Sequence, residues 1–383
     1  MRPRAIVVLA TCLVLSLALA GCTGAPSRGW SGPIAVGDIV YVGTMDSRVI
    51  AINPESRTAG YSFPQESEGE WSFSLGAVGG GGFLSCSPAV GVTTYGVPAV
   101  ADGLLFIGTS AGKVYALDAA DGHSVWEYPR GDAAIGPVIA SPVVADDVLY
   151  VGSGDGHLYA LDILTGSQLW DFAAADDIWA APAVADGMLY IGSFDGQLYA
   201  LDAQSGEVAW QFSTGGAIGA TPLVDEGTVY IGSFDGQLYA LDAQSGEPRW
   251  EQPFVAGNWF WASPVIYQGT IVAGCLDHNV YFIDAQSGEE ALPAYQAGAP
   301  VRGTAALIDG VVIVGTEGGK VHALDAATGE NIWQYPLGEE VIGPVRAAVY
   351  AVDGVAYVHA ADMAIYALET EHGNELWHYS PFE

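Results

Sequence analysis

Residues 190–207 read YIGSFDGQLYALDAQSGE, and residues 230–247 read the same eighteen residues forty positions later. An identical copy of this length marks an internal repeat, which has to be placed before any single element is assigned. Around it a looser pattern recurs, A-x-P-x-V-x-D-G-x-L-Y-I-G-S-x-D-G-x-L-Y-A-L-D-A-x-S/T-G-E-x-x-W-x-F. Its central acid falls at Asp118, Asp162, Asp202, Asp242, Asp284, Asp325 and Glu369, in steps of 44, 40, 40, 42, 41 and 44. An earlier degenerate copy runs from Ile34 through Val49-Ile50-Ala51-Ile52-Asn53, its closing aromatic delayed by an insertion to Trp71-Ser72-Phe73. The chain therefore holds eight units.

Each unit contains four short apolar runs separated by turn signals, in the fourth copy 183–185, 188–192, 197–201 and 208–212. This predicts four strands per unit. Asp-Gly at 155–156, 195–196 and 235–236 predicts a tight hairpin with two left-handed positions between the second and third strands. Asp202-Ala203-Gln204-Ser205-Gly206 predicts a second turn, in which the carboxylate accepts backbone N–H groups and glycine takes a positive φ. Runs such as Leu189-Tyr190-Ile191 lack clean alternation, so each sheet is expected to be covered on both faces. A β-propeller does this by stacking every four-stranded blade between two neighbours. A helical solenoid would carry a 3.6-residue period, and none is present.

Composition agrees with an all-β chain. Of 383 residues 50% are hydrophobic and only 14% charged, with 51 glycines and 11 tryptophans. There are 44 acidic against 11 basic residues, a formal charge of −33. That charge repels phosphate backbones and excludes nucleic acid as a partner class. The acidity has two readings, a solvated shell suited to high salt or a surface that steers a cationic partner.

The first residues read as an address. Arg2 and Arg4 precede an apolar run at 5–20, followed by Leu19-Ala20-Gly21-Cys22. That is the order of a secretory signal, and the run is short for a membrane span. Residues 19–22 resemble the lipobox of bacterial lipoproteins, which implies lipidation of Cys22 and an extracytoplasmic protein held on a membrane. The expected organisation is a signal peptide at 1–21, a lipidated cysteine and flexible tether at 22–32, and one propeller at 33–383 with an insertion at about 61–96. Cys86 and Cys275 would remain in a compartment that permits disulfides, as a bridge or as two buried thiols.

At A-x-D-x-x-T/S-G-x-x-x-W the chain resembles the tryptophan-docking repeat of the pyrroloquinoline-quinone (PQQ) propellers. Ala160-Leu161-Asp162 with Thr165-Gly166 and Trp170, and Ala323-Leu324-Asp325 with Thr328-Gly329 and Trp333, carry the resemblance. It implies an eight-bladed propeller in which Trp126, Trp170, Trp210, Trp250, Trp333 and Trp377 dock each blade on the next. The sixth copy departs, with Leu292 in place of the tryptophan. The lipobox combined with about eight such repeats is similar to the BamB-like lipoprotein subunits of the outer-membrane β-barrel assembly machinery. That similarity implies a non-catalytic, monomeric protein-interaction scaffold with the β-barrel assembly complex as its partner, on the periplasmic face of the outer membrane. The alternative within the wider family is a PQQ-dependent dehydrogenase or a binder of a small anion. A sensor or adhesion propeller is a third reading.

Signatures of chemistry fade once placed on the repeat. No adjacent cysteine pair is present, and the acid repeated at every turn is too regular to be one catalytic base. Gly108-Thr109-Ser110-Ala111-Gly112 fits a nucleophile elbow by spacing, but that elbow needs a following helix and this stretch is a hairpin. His372, Glu375 and His378 straddle a turn and an outer strand, so they are not expected to converge on a metal, and His123, His157, His278, His322 and His359 are scattered singly. Gly79 to Gly82 lacks the Lys-Ser/Thr pair of a phosphate loop. We therefore expect no catalytic residue, metal or cofactor.

The positions that vary within a fixed repeat are the informative ones. Three residues before the proline, or its equivalent, of each first strand stand Ser31, Tyr95, Ile139, Trp179, Gly219, Trp261, Arg302 and Arg346. First strands line the channel of a propeller, so this ring should surround one mouth of it, with Trp259 and Phe260 adding to the rim. Aromatic and arginine side chains together suit an interface anchor or a planar anionic ligand. The plainer reading is a plug, with the arginines paired to nearby acids.

Overall fold

The computed structural model describes residues 29–78 and 90–381. Within them, eight four-stranded antiparallel sheets stand in a ring, built from residues 34–74, 99–128, 143–173, 183–213, 223–255, 265–296, 306–335 and 350–379. We number these blades 1 to 8. Every blade takes its strands from one continuous segment, paired in chain order. No helix among the described residues is long and apolar enough to cross a membrane.

Blade 4 shows why the strands lack alternation. Leu189 and Ile191 pack with Tyr150, Leu158 and Ala160 of blade 3. Tyr190, between them, packs instead with Val229, Ile231 and Leu241 of blade 5. Successive side chains point to opposite faces, and here both faces are buried, so every position is apolar. Truncating a side chain such as Ile191, fully buried, would cost about 2–5 kcal/mol.

The expected turn chemistry is divided between two hairpins. Asp186 (φ 51°) and Gly187 (φ 77°) are both left-handed, between the paired Ala185 and Met188, and make the two-residue hairpin from first to second strand. In the next hairpin, where two left-handed positions were expected, only Gly196 (φ 82°) is left-handed. The reason is loop length. Phe194, Asp195 and Gly196 form a three-residue loop closed by the Ser193 N–H donating to the Gln197 carbonyl at 3.1 Å, which requires one such residue. The Asp195 carboxylate accepts from the Gln197 and Ala175 N–H groups (2.8 and 2.9 Å) and from the Tyr199 hydroxyl (2.8 Å). It thereby ties its hairpin to the loop leaving the preceding blade. Asp235 does the same through Gly215 and Tyr239, and Asp277 through Gly257 and Tyr281.

The second turn forms as its residues dictate. Asp202 Oδ1 accepts from the Ser205 hydroxyl and N–H, both at 2.8 Å, and from the Gln204 N–H at 3.1 Å. Those donors hold its carboxyl below the usual range. Gly206 follows at φ 73°, and a Cβ there would lie 2.6 Å from the Trp170 ring. The repeated acid, serine and glycine thus shape the turn on which the preceding blade's tryptophan rests.

The indole N–H groups of Trp126, Trp210, Trp250 and Trp333 donate to the carbonyls of Ile163, Ala243, Ala285 and Thr370 on the next blade, at 2.7–3.0 Å. Trp71 closes blade 1 and donates to Ala119 at 3.0 Å. Blade 6 solves the same packing problem differently. Elsewhere an alanine of the third strand faces the tryptophan, as Ala200 faces Trp210, whereas here Phe282 faces Leu292. The large and small residues have changed strands, and the Phe282 ring lies where a Cβ on Gly329 would be 3.4 Å away.

The ring closes without strand exchange. Trp377 packs among Val40, Val42, Ile50 and Ile52 of blade 1. Tyr350 donates to the Ala35 carbonyl at 3.2 Å, and His359 Nδ1 meets the Ser31 carbonyl at 2.8 Å. The contact at this seam is inverted. Elsewhere a glycine ending the second strand, such as Gly192, receives a branched side chain of the next blade, here Ile218. In blade 8 the glycine is replaced by His359, whose ring reaches the Ser31 carbonyl, and Gly29 stands at the sequence position that Ile218 holds in its own blade. The delayed closing strand of blade 1 is Trp71–Ser74, preceded by a short helix, Pro54–Thr58, whose cap Asn53 accepts from the Glu55 N–H. Arg57 and Glu70 pair at 2.8 Å, both nearly buried, and hold this excursion against the blade.

Candidate functional site

The entry segments of the eight first strands converge on one mouth of the central channel, around a cavity of about 110 Å³. Its upper wall is the ring of side chains three residues before each first-strand proline or equivalent. Tyr95, Ile139, Trp179, Gly219, Trp261, Arg302 and Arg346 all line it. The eighth member is Trp30, not Ser31. Pro33 sets the register in blade 1, so the ring residue is Trp30, while Ser31 is fully buried and donates to the Gly96 carbonyl at 2.8 Å. Trp30 meets Tyr95 edge to face at 4.7 Å. Phe260, expected on the rim, is also fully buried, because it is the branch-point residue of its blade and fills the space over Gly232.

One side of the mouth is a continuous aromatic surface. Trp259, 46% exposed, stacks on Phe234 at 4.7 Å and 7°, and Phe234 stacks on Trp261 at 4.8 Å and 23°. Trp179 packs on Phe194 at 4.5 Å, and Phe194 on Phe234 at 5.6 Å. Gly219 makes this possible, since a Cβ there would stand 3.0 Å from Phe234 and 3.5 Å from Phe194. Phe194 and Phe234 sit inside the duplicated eighteen-residue stretch. They were passed over because identical copies read as scaffold.

Next to it around the mouth stand the two arginines. The Arg302 guanidinium lies over the Trp261 ring at 4.3 Å and its Nε donates to Glu317 at 2.6 Å. Arg346 Nε is 3.5 Å from the same Glu317 oxygen. One carboxylate therefore serves two guanidinium groups. Below the rim, one residue before each proline position, lie Ser141, Thr221, Ser263 and Thr304. Their hydroxyls bridge neighbouring blades, Ser141 accepting from the Val97 N–H, Ser263 from Thr221 and Thr304 from Ser263. Beside the aromatic surface, burial and the neighbouring Asp176 charge hold the Asp177 carboxyl above its usual range.

The cavity does not suit a pyrroloquinoline quinone. Its volume of about 110 Å³ is too small for that fused three-ring tricarboxylate, and no carboxylate is among the described residues that line it to hold a divalent ion. The other chemical candidates also have structural roles. The Ser110 hydroxyl accepts from the Thr93 N–H and hydroxyl within a hairpin. His378 pairs with Glu375 at 2.6 Å while His372 turns to Glu369 and Glu371, so the three do not converge. Two exposed groups that the sequence analysis did not gather, Asp118, Asp121, His123 and Glu369, Glu371, His372, bring ligand atoms within 4.8 Å of one another on equivalent turns of blades 2 and 8. Asp118 and Asp121 there already accept the backbone N–H groups of Ala120 and His123. Cys275 is buried, with Sγ 3.3 Å from the Asn258 carbonyl, and burial pushes its thiol up to about 12. Cys22 and Cys86 lie outside the described residues.

A family model described as outer membrane protein assembly factor BamB matches residues 62–178, 176–300 and 294–381. No curated protein matches in sequence. Among solved structures, the computationally designed Ika8 protein is similar with a TM-score of 0.70 and 17% identity, over 91% of this chain and 98% of that one. BamB from Moraxella catarrhalis is similar with a TM-score of 0.67 and 21% identity, over 88% of this chain and 92% of that one. At these identities the two structures speak for the fold alone.

Proposed function

Because the chain belongs to the family described as outer membrane protein assembly factor BamB, we propose that it is a non-catalytic propeller that acts as a protein-interaction scaffold in outer-membrane β-barrel protein assembly. The family match across residues 62–381 carries this reading. In it, Cys22 is lipidated and anchors the protein to the periplasmic face of the outer membrane, and no cofactor takes part. Support for a docking role comes from the mouth. Aromatic residues and arginine dominate interface hot spots, and Phe234 on its hairpin with Trp259 and Trp261 on the segment joining blades 5 and 6 form such a surface. The acids that tie each hairpin to the preceding blade keep that surface fixed, which lowers the ordering cost of binding.

The test is mild crosslinking and pull-down of the lipidated protein from its native membrane, beside a Trp179→Ala, Trp261→Ala double variant. Recovery of a β-barrel assembly component supports the scaffold reading, and its loss in the folded variant puts the interface at the mouth. Recovery of no such component overturns the assembly role.

A further inference from the structure

The cavity beneath the rim is rich in donors and poor in acceptors, in a protein whose formal charge is −33. Arg302 is engaged by Glu317 and Trp261, but Arg346 has one long contact, Nε to Glu317 Oε1 at 3.5 Å, and two guanidinium groups share that single carboxylate. The cluster of Arg302, Arg346 and Glu317 thus carries one positive charge in excess. On the floor, the hydroxyls of Ser141, Ser263 and Thr304 each accept a backbone N–H. Their own protons find no acceptor among the described residues. These groups are half-buried, so water meets their donors when the mouth is empty, and an anion can satisfy several of them at once. Trp30, Trp179 and Trp261 supply apolar walls around them.

We propose that this mouth is a binding site for a small monocarboxylate with an apolar body, its carboxylate held by Arg346 and the floor hydroxyls and its body between the tryptophans. The planar fork of arginine matches a carboxylate, and a volume of about 110 Å³ admits a single small ring or short chain. The protein's overall negative charge slows entry of an anion, but at 0.1 M salt or above it is screened beyond about 10 Å, whereas the contacts inside the mouth are not. The same chemistry has two sources, a free organic acid or the carboxyl terminus of a peptide. The inference stands apart from the assembly role and can fail without it.

The test is calorimetric titration with benzoate, with benzamide as the neutral isostere, followed in parallel by tryptophan fluorescence. Benzoate should bind and benzamide should not. Arg346→Gln should weaken benzoate roughly tenfold or more, as expected for losing a charged hydrogen bond, and Glu317→Gln should strengthen it by releasing both arginines. A peptide ending in a free C-terminal phenylalanine, compared with its amide, separates the two sources. Absence of benzoate heat with folded protein, equal binding of benzamide, or an affinity unmoved by both substitutions would overturn the proposal.

Discussion

Replacing Phe282 with alanine and Leu292 with tryptophan should convert blade 6 to the arrangement of its neighbours. Phe282 is fully buried, so Phe282→Ala alone removes a whole ring from between blades 6 and 7 and should cost about 3–5 kcal/mol. Leu292→Trp alone crowds two large side chains across one strand pair, Phe282 against Trp, and should cost about 1–3 kcal/mol. Together they place an indole opposite an alanine, as Trp210 stands opposite Ala200, with Ala326 as the counterpart of the Ala243 carbonyl that accepts from Trp210. The double variant should therefore lie within about 1.5 kcal/mol of the starting protein, and the two substitutions should couple by about 2.5 kcal/mol or more. Urea unfolding of the four proteins, read at constant m-value, measures this directly. Additive losses would refute the claim that the two positions exchange volume.

His322, buried on the third strand of blade 7, is held down to about 4 by burial and the nearby Lys320 charge. An unfolded histidine titrates near 6.5, so the unfolded chain takes the proton first, and stability present above pH 6.5 is lost as the pH falls toward 4. The loss should reach about 3 kcal/mol, and His322→Gln should flatten that part of the profile in unfolding measured between pH 7 and 4.5. Cys275, pushed up to about 12, should resist a thiol reagent at pH 8 in the folded protein and react on unfolding. Peptide-level mass spectrometry of labelled protein checks it, and rapid modification of folded protein would contradict the burial.

How much of this was legible in the chain depended on the range of the interaction. The turn at Asp202 and the strands of each blade are local, and a repeat states local rules eight times. The two hairpins were confused because both carry Asp-Gly, and only the register between strands tells a two-residue loop from a three-residue one. The mouth was legible through its variable positions, yet Trp30 was missed by one residue because the degenerate first copy obscured its proline register. Glu317 escaped notice because it stands at the hairpin position where blades 4 and 5 carry Phe194 and Phe234, so it faces the mouth as they do. The blade 6 exchange is visible only when two strands are read against each other. Nothing in the sequence marks Lys320 as a tie between segments, yet its Nζ donates to the Pro336 and Gly338 carbonyls at 2.8 Å.

The seam between blades 8 and 1 gives the molecule a mechanical direction. Many rings could be locked by lending a strand across the junction, but here each sheet is complete in itself, and the junction is made of side chains and single hydrogen bonds. Gly29 to Ser31 lie between that junction, where the Ser31 carbonyl meets His359, and the entry segment of blade 2, where the Ser31 hydroxyl donates to Gly96. A load applied from the N-terminal side would therefore reach the contact between His359 and the Ser31 carbonyl before any hydrogen-bonded ladder, so the ring would yield by parting at one joint while all eight blades stayed folded.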